Sequence, residues 1–318
     1  MRILFITSTR IGDAVLSSGL LAHLIETTNQ PRVTVACGAE AAPLFEAVPG
    51  LEAVIPITKK RGGRHWLSLW SRCVTTRWDV VVDLRASAIA WLLIARRRLV
   101  LRRGGDDRHR VEAIGRLAGT TEPPSPQVWT GAAHEAAAAA LMPDGQEVLA
   151  VAPTANWPGK QWRAERFAEL AHRLTAPMGQ MPGAAIAVLG APAERAAAEP
   201  MLAALEGRAV IDLVGKLDLL TAAAVLRRAR FFVGNDSALM HMAAATGVPT
   251  LGLFGPSREA HYAPWGPRCA VQRTALSYEQ LTGAPDYDHR RTDSLMDSLS
   301  VDMAEQAARD LWARCGSQ

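Results

Sequence analysis

The chain has 318 residues, more than one domain usually contains, and this length favours two domains. Hydrophobic residues make up 49% and charged residues 21%, the balance of a globular protein, which excludes a disordered chain. The formal net charge is +4, and the four cysteines form neither a CxxC pair nor a Cys/His cluster, which argues against a zinc site and a disulfide framework. Reduced cysteines and the lack of a charged-then-apolar leader predict a cytoplasmic protein.

Strand and helix patterns alternate over the first half of the sequence. Strand-like runs occupy 3–7, 33–37, 53–57, 79–84 and 98–101, and helical patterns occupy 14–25, 40–48, 64–76 and 87–95. Continuous apolar strands between helices predict a parallel sheet that is covered on both faces. The Pro-rich run at 119–129 predicts a connection, and an Ala-rich helix follows at 132–141.

The positive charge is concentrated in the first half. Residues 1–145 hold 18 Lys and Arg against 13 Asp and Glu, and much of the excess lies in KKRGGRHW (59–66) and RRRLVLRRGGDDRHR (96–110). These clusters are either solvated surface or a patch that faces anionic lipid headgroups or a phosphorylated substrate. No nucleic-acid partner is predicted, because the clusters lack a binding motif and interleaved stacking aromatic residues. The most lipid-like stretch, Ala86 to Ala95, has only about half of the ~20 apolar residues of a membrane-spanning helix, so no transmembrane segment is predicted.

The same alternation returns in the second half. Strands are predicted at 147–153, 184–190, 209–215, 230–236 and 249–255, and helices at 163–174, 193–206, 218–228 and 238–246. Residues 277–298 are polar and predict a loop, and 301–313 predict an amphipathic helix. We therefore predict an N-terminal domain at 1–145, a C-terminal domain at 146–300, and a final helix at 301–318 that packs back on the N-terminal domain.

The predicted fold class is α/β, with two facing Rossmann-like, doubly wound parallel sheets. Two such domains in tandem place the carboxyl ends of both sheets beside a shared crevice, and ligands of open α/β sheets bind at that edge. This is the layout of nucleotide-sugar glycosyltransferases.

The stretch FFVGNDSALMHMAAATGVPTLGLFGPS (231–257) is the most informative part of the sequence. A strand ends near Gly234, and Asp236 or Ser237 caps the helix that follows. The N–H groups at that helix start are a ready anion site, and His241 lies one turn along the same face. On spacing alone, Asp236 is either a helix cap or a ligand-binding acid, and His241 is either a packing residue or a ligand-binding one.

The stretch RIGDAVLSSGLLAHL (10–24) places Asp13 where a strand ends and a helix begins. A helix start attracts acids, because its N–H groups and dipole favour negative charge, so Asp13 is either a helix-start acid or a catalytic carboxylate. A dinucleotide-dependent oxidoreductase is disfavoured, because TSTRIGDA lacks the GxGxxG pattern.

Four ordered segments resemble the motifs of one family. GNDSALMHMAAATGVPTLGLFGPS (234–257) closely resembles the signature of glycosyltransferase family 9, the ADP-heptose:lipopolysaccharide heptosyltransferases and their relatives. The segment at 10–24 resembles the family's opening motif, PTANWPGKQWRAERFAELAHRL (153–174) its lysine-containing segment, and DSLSVDMAEQA (297–307) its closing motif. The resemblance spans nearly the whole chain.

The resemblance implies a GT-B fold and an inverting, metal-independent sugar transfer without a cofactor. It places the general base at Asp13 and the diphosphate-binding lysine at Lys160, and it implies no metal site. The other positions that it assigns to donor binding are Asn156, Leu217, Asp236, Ser237, Ala238, Leu239 and His241. The positions that border Asp13 on the acceptor side are Thr9, Arg10 and Gly12, with Thr7 beside them.

The resemblance also implies the partners. The donor would be a nucleotide-sugar, ADP-linked heptose, and the acceptor a phosphorylated, lipid-linked saccharide of the lipopolysaccharide core. We accordingly expect peripheral contact with the anionic cytoplasmic face of the inner membrane.

Some residues depart from the family pattern. Ala155 and Asn156 stand where relatives have hydroxyl residues beside the diphosphate, Ala238 replaces the usual glycine, and Glu194 is displaced from the usual position of a glutamate. The alternatives are a family member that uses another nucleotide-sugar, a GT-B-fold nucleotide-sugar epimerase or hydrolase, and a non-catalytic binding or scaffolding member.

Overall fold

The structure, a computed structural model, describes residues 1–59, 61–102, 107–283, 287–288 and 293–316. Parts of the two basic clusters (60 and 103–106), parts of the polar segment at 277–298 (284–286 and 289–292) and the end of the predicted final helix (317–318) lie outside the described residues. The chain forms two units, Met1–Gly131 and Ala132–Gln318, and each is built on its own parallel sheet.

The sheet of the N-terminal unit contains β1 (Arg2–Ile6), β2 (Arg32–Cys37), β3 (Leu51–Pro56), β4 (Trp78–Asp83) and β5 (Ala95–Val100). These strands are hydrogen-bonded in the order β3-β2-β1-β4-β5, and all pairs are parallel. The helices of this unit are α1 (Ile11–Glu26), α2 (Arg64–Cys73), α3 (Ile89–Leu92) and α4 (Arg110–Gly115), and 3₁₀ segments lie at Ala39–Phe45 and Arg61–Gly63.

The helices of the C-terminal unit are α5 (Ala132–Leu141), α6 (Ala164–Thr175), α7 (Arg195–Ala204), α8 (Leu219–Arg228), α9 (Ala238–Thr246), α10 (Glu259–Tyr262), α11 (Tyr278–Thr282) and α12 (Val301–Gly316). The strands are β6 (Val148–Ala152), β7 (Ala185–Val188), β8 (Val210–Asp212), β9 (Phe231–Asn235), β10 (Thr250–Phe254) and β11 (Cys269–Arg273), in the parallel order β11-β10-β9-β6-β7-β8. Within the part of the chain that the structure describes, no helix is both long and apolar enough to cross a membrane.

The strands are apolar along their whole length because both faces of each sheet are covered. Every residue of the β1 run Ile3 to Ile6 is 0% exposed, and all five residues of β6 are buried. Burial on both faces replaces the alternation of polar and apolar residues with a continuous apolar run. The helices show the complementary pattern, since α6 buries Phe167, Leu170 and Leu174 and exposes its other side.

The strand order of each sheet reverses beside its first strand. In the N-terminal unit the chain runs from β1 outward to β3 and then returns to β4 on the other side of β1. In the C-terminal unit it runs from β6 outward to β8 and then returns to β9 on the other side of β6. At such a switch point the loops that follow the two neighbouring strands diverge and leave room for a ligand at the carboxyl edge.

Helix α12 belongs to the core of the C-terminal unit. Ala304, Ala308 and Leu311 are at most 1% exposed and share one apolar cluster with residues of α6 and the sheet. The boundary between the units lies at 131/132, because α5 packs on α8 of the second unit. Both observations differ from the prediction, which placed the boundary at 145/146 and packed the final helix on the N-terminal domain.

The connection between β4 and β5 contains less helix than predicted. The helix expected at 87–95 is a single turn, α3, and β5 begins at Ala95 instead of 98. The Arg98 guanidinium accounts for the difference, since it donates to the carbonyl oxygens of Ala90 (2.7 Å) and Leu93 (2.8 Å). In a longer helix, backbone N–H groups of the same helix would have donated to these carbonyl oxygens.

Three smaller differences concern other segments. The helix predicted at 40–48 is a 3₁₀ segment that contains Pro43, which has no N–H to donate. Strand β11 was not predicted, because its sequence CAVQR is polar enough for a half-buried edge strand. Helix α11 lies inside the segment that was predicted to be a loop.

We expect Leu311→Ala to lower the free energy of unfolding of the C-terminal unit by about 2–4 kcal/mol, because it removes a fully buried side chain and leaves a cavity. Urea denaturation followed by circular dichroism measures the change. The control is Leu141→Ala, the same truncation at a side chain that is 36% exposed, where we expect a cost below about 1 kcal/mol. Equal midpoints for Leu311→Ala and the wild type would contradict the place of α12 in the core.

Candidate active site

The carboxyl edge of the second sheet brings the main predicted donor-binding residues together. Lys160 follows β6 on the 3₁₀ turn Pro158–Lys160, and Asp236 and Ser237 follow β9, which is hydrogen-bonded to β6. Because the strand order reverses between these two strands, both loops border the switch point of the unit. The topology therefore joins groups that lie far apart in the sequence.

Lys160, Asp236 and His241 form one polar cluster at this edge. The Lys160 Nζ donates to Asp236 Oδ2 at 2.5 Å, and His241 Nε2 lies 3.8 Å from Asp236 Oδ1. The Asp236 and His241 side chains are 7% and 5% exposed, whereas the Lys160 side chain is 26% exposed. A carboxylate buried to this extent needs a paired cation, because an isolated buried charge is strongly unfavourable. The cluster thus holds a partly accessible ammonium at the edge of the sheet.

Asn235 fixes the loop at 153–162, which carries that ammonium. Its buried side chain accepts a hydrogen bond from the Trp162 backbone N–H (3.0 Å) and donates one to the Pro153 carbonyl (2.8 Å). Trp162 is 1% exposed, and its indole N–H donates to the Leu299 carbonyl at 2.9 Å. One amide therefore ties both ends of the loop to the end of β9, a role that the sequence analysis did not assign to Asn235.

Helix α9 begins without a side-chain cap. Ser237 is the N-cap residue, but its hydroxyl makes no capping hydrogen bond, and Asp236 bonds to Lys160 instead. The prediction that Asp236 or Ser237 caps the helix is therefore wrong. The Ser237 Oγ is buried and has no hydrogen-bond partner among the residues that the structure describes. This hydroxyl and the N–H groups of the first turn, which include those of Ala238 and Leu239, are donors of the kind that bind an anion at a helix start.

The remaining predicted donor-side residues lie at or near the same edge. Ala238 and Leu239 are half-buried in the first turn of α9. Leu217 is half-buried in the turn that follows β8, and Asn156 is exposed in the loop that follows β6. The structure thus brings all of these positions to the loops that follow the strands, with Asn156 the most open to solvent.

Glu194 reaches the loop after β6 despite its displaced position in the sequence. Its Oε2 accepts hydrogen bonds from the Thr154 hydroxyl at 2.9 Å and from the Ala191 backbone N–H at 2.8 Å. Thr154 is 2% exposed. The carboxylate therefore supports the two loops that follow β6 and β7.

Asp13 lies in the first turn of α1, at the carboxyl edge of the first sheet. Its side chain is half-buried, and the Ser8 hydroxyl donates to its Oδ2 at 3.4 Å. Arg10 is the N-cap residue of the helix, and its side chain makes no capping hydrogen bond. Asp13 is the acidic residue of the first turn.

The residues predicted beside Asp13 divide into two groups. Thr9 and Arg10 are exposed and Gly12 is half-buried, so these three lie on the accessible side of the β1–α1 loop. Thr7 is 0% exposed, and its hydroxyl shares a hydrogen bond with the Ser17 hydroxyl at 2.7 Å. Thr7 therefore joins β1 to α1 and belongs to the core.

Asp83 is a buried carboxylate that the sequence analysis did not single out. It ends β4, the strand beside β1, and is 0% exposed. It accepts hydrogen bonds from the Arg85 N–H (2.9 Å), the Ser87 N–H (2.8 Å) and the Ser87 hydroxyl (2.7 Å), and the turn passes through Ala86 at φ +49°. The residue organises the turn on the other side of the switch point. An acid at the end of an apolar strand, followed by a serine, is the signal that could have found it.

The described residues contain no group of three or more His, Cys, Asp or Glu side chains that could hold a metal ion. Cys37 ends β2, and burial raises the pKa of its thiol to about 12, so the thiol stays protonated at neutral pH and is no nucleophile. The chemistry at the first edge therefore centres on a carboxylate. At the second edge it centres on an ammonium, an imidazole and the start of a helix.

Comparisons with known proteins identify the family and the fold of the chain. The model of the family described as Glycosyltransferase family 9 (heptosyltransferase) matches residues 68–284. Lipopolysaccharide heptosyltransferase 2 of Salmonella typhimurium is 24% identical over 328 residues, which cover 88% of this chain and 90% of that protein.

Two solved structures show the same fold over nearly the whole chain. The glycosyl transferase family 9 protein of Veillonella parvula superposes with a TM-score of 0.77 at 21% identity and covers 98% of this chain and 97% of its own. The ADP-heptose lps heptosyltransferase II of E. coli superposes with a TM-score of 0.74 at 20% identity and covers 99% of both chains. These likenesses confirm the predicted GT-B fold class.

The family match spans more than half of the sequence and contains Lys160, Asp236 and His241. The chain belongs to glycosyltransferase family 9 (heptosyltransferase) and is a glycosyltransferase.

Proposed function

We propose that the protein transfers heptose from ADP-heptose to a saccharide of the lipopolysaccharide core, with inversion at the anomeric carbon and without a metal ion. The observation that carries the proposal is the Lys160–Asp236–His241 cluster beside the uncapped start of α9. The names of the relatives support the choice of substrates, since they include a lipopolysaccharide heptosyltransferase and an ADP-heptose lps heptosyltransferase.

The C-terminal unit binds the donor in this proposal. A nucleoside diphosphate leaving group gains negative charge as its bond to the sugar breaks, and fixed donors that stabilise this charge lower the barrier. The Lys160 ammonium, the Ser237 hydroxyl and the N–H groups at the start of α9 are the donors available at this edge. Asp236 holds the ammonium in place before the donor arrives, and Lys160 then shares its charge between that carboxylate and a phosphate oxygen.

The N-terminal unit activates the acceptor. Asp13 takes the proton of the acceptor hydroxyl while the oxygen forms its bond to the anomeric carbon, and the bond from that carbon to the diphosphate oxygen breaks on the opposite face. This single displacement inverts the configuration. The half-buried position of the carboxylate in the first turn of α1 and its hydrogen bond from Ser8 support this role, because they orient the side chain.

The positive charge of the N-terminal unit favours a phosphorylated saccharide as the acceptor. Residues 1–131 hold 18 Lys and Arg against 11 Asp and Glu, whereas residues 132–318 hold 17 against 20. A positive field of this kind raises the local concentration of an anionic substrate and speeds its association.

We expect Asp13→Asn to lower the rate of heptose transfer by at least ~100-fold, because the amide keeps the shape of the side chain but cannot accept the proton. The assay combines ADP-heptose with a lipid extract that contains the acceptor, and calorimetry checks that the donor still binds with wild-type affinity. The control is Glu26→Gln, the other carboxylate of α1, where we expect wild-type turnover. Equal turnover in Asp13→Asn would remove this residue from the mechanism.

We expect Lys160→Met to weaken the binding of ADP by about 10- to 100-fold, the scale of a lost charge-assisted hydrogen bond. The variant also leaves Asp236 without its ammonium partner, so the carboxylate repels the diphosphate. The double variant Lys160→Met/Asp236→Asn should therefore bind ADP more tightly than Lys160→Met alone. Lys216→Met removes the same charge from an exposed position of the same unit and should bind ADP as the wild type does. Unchanged affinity in Lys160→Met would refute its role.

We expect dialysis against EDTA to leave heptose transfer unchanged, because Lys160 and the start of α9 supply the positive charge that the leaving group needs. Loss of turnover that Mg²⁺ or Mn²⁺ restores would contradict the metal-independent mechanism.

The same transfer assay, run with ADP-, UDP- and GDP-sugars, identifies the donor. A donor consumed in the absence of acceptor would favour a hydrolase or an epimerase.

A further inference from the structure

The N-terminal unit exposes a set of large apolar side chains on the connection between β4 and β5. Trp91, Leu92 and Ile94 are 66%, 60% and 61% exposed. We refer to these three residues as the apolar ridge. Leu67 of α2 is also 66% exposed and lies one turn before Trp70, whose indole N–H donates to the Leu92 carbonyl. The ridge and the exposed side of α2 therefore form neighbouring parts of one surface.

The exposure of the apolar ridge is built into the fold. The same connection buries Ile89 and Leu93 at 4% and 3% exposure. Arg98 holds the backbone, because its guanidinium donates to the carbonyl oxygens of residues 90, 93 and 95 at 2.7, 2.8 and 3.2 Å. The Trp78 backbone N–H donates to the Ile94 carbonyl at 2.9 Å. These hydrogen bonds fix the backbone of the segment, while Trp91, Leu92 and Ile94 remain exposed.

The apolar ridge differs from the other exposed apolar side chains of the protein. Met178 is 91% exposed, but the large exposed hydrophobic residues nearest to it in the described sequence are Leu141 and Tyr262. Single exposed apolar residues are normal in soluble proteins, whereas a contiguous apolar patch marks an interaction surface. The ridge, with Leu67 beside it, is such a patch.

The part of the sequence that contains the apolar ridge is strongly basic. Residues 59–102 contain 11 Lys and Arg and only two carboxylates, Asp79 and Asp83, and Asp83 is buried. The Arg98 guanidinium lies 5.7 Å from the centre of the Trp91 ring, and the Arg96 side chain is 86% exposed. Arg64 is exposed one turn before Leu67 on α2. The patch is therefore apolar at its centre and cationic around it.

We propose that this surface binds the protein to an anionic phospholipid bilayer, with the apolar ridge inserted among the acyl chains and the exposed Arg64 and Arg96 on the lipid phosphates. A Trp side chain suits the boundary between headgroup and acyl chain, because it has an apolar body and one polar N–H. Basic residues near an anionic leaflet each add attraction. A second copy of the chain is a poorer occupant, because dimerisation through this face would bring two strongly positive surfaces together.

The purpose of this contact rests on the proposed function, since an enzyme that modifies a lipid-linked saccharide gains from residence at the lipid surface. The contact itself is independent of catalysis. Binding to vesicles without any acceptor is therefore the direct test.

The test is co-sedimentation of the full chain with vesicles of phosphatidylethanolamine and phosphatidylglycerol, and with vesicles of phosphatidylcholine alone. We expect binding to the anionic vesicles, little binding to the neutral ones, and weaker binding at 1 M salt, where the Debye length falls to about 3 Å. The double variant Leu92→Ser/Ile94→Ser should lower the partition coefficient by about tenfold or more, because it removes two inserting side chains.

A matched control separates the apolar ridge from general surface hydrophobicity. The variant Met178→Ser/Leu276→Ser removes two exposed apolar side chains of the C-terminal unit, 91% and 43% exposed, and should bind vesicles as the wild type does. Circular dichroism and urea midpoints confirm that both double variants are folded. Equal vesicle binding by Leu92→Ser/Ile94→Ser and the wild type would overturn the proposal, as would equal binding to neutral and anionic vesicles.

Two further measurements separate the other outcomes. Analytical ultracentrifugation without lipid shows whether the ridge variant turns a dimer into a monomer, which would assign the surface to self-association and overturn the proposal. Transfer to a delipidated, water-soluble acceptor should be the same in the ridge variant and the wild type, whereas transfer to acceptor in vesicles should fall. If neither acceptor is modified by the wild type, the proposed function fails, while the vesicle result still decides the lipid contact.

Discussion

The ion pair between Lys160 and Asp236 is the interaction on which the candidate donor site depends, because it joins the loops that follow two neighbouring strands. Without this ion pair, neither loop would keep its charged side chain in this position. The carboxylate is 7% exposed and needs a cation, and the lysine needs an anchor that keeps its ammonium at the sheet edge. Asn235 supplies the backbone restraint, since its amide fixes both ends of the lysine loop. The pair and the amide together make the site rigid before a ligand arrives.

The two switch points carry opposite chemistry, although they arise from the same topology. In the first sheet the loops after β1 and β4 present two carboxylates, Asp13 and Asp83, of which one is accessible and the other organises a turn. In the second sheet the loops after β6 and β9 present an ammonium and an uncapped helix start. A proton acceptor and an anion site are the two requirements of an inverting transfer to a hydroxyl group. In the proposed mechanism these tasks are divided between the two units by their side chains, since the strand order of both sheets reverses in the same way.

The parts of the structure that could be predicted from the sequence are those governed by local pattern. The apolar runs at 148–152 and 231–235 are strands because both faces are buried, and the predicted strands and helices of the second half agree with the structure within a few residues. The parts that could not be predicted depend on contacts between distant residues. The missing cap of α9 follows from the pairing of Asp236 with Lys160, and the short α3 follows from the reach of the Arg98 side chain. The place of α12 depends on which apolar face completes a core, and an amphipathic pattern alone does not identify its partner.

The connection between β4 and β5 links the carboxyl edge of the N-terminal unit, where we propose that the acceptor binds, to the apolar ridge. It leaves the carboxyl edge at Asp83, which lies beside the β1 strand that leads to Asp13, and it reaches the amino edge at Ile94, directly before β5. A strand of six residues spans about 20 Å, so the ridge and the acceptor edge stand about one strand length apart. Both ends of the connection are fixed, one by the hydrogen bonds to Asp83 and the other by Arg98. A lipid surface bound at the ridge, as proposed, would therefore lie about one strand length from the edge that carries Asp13.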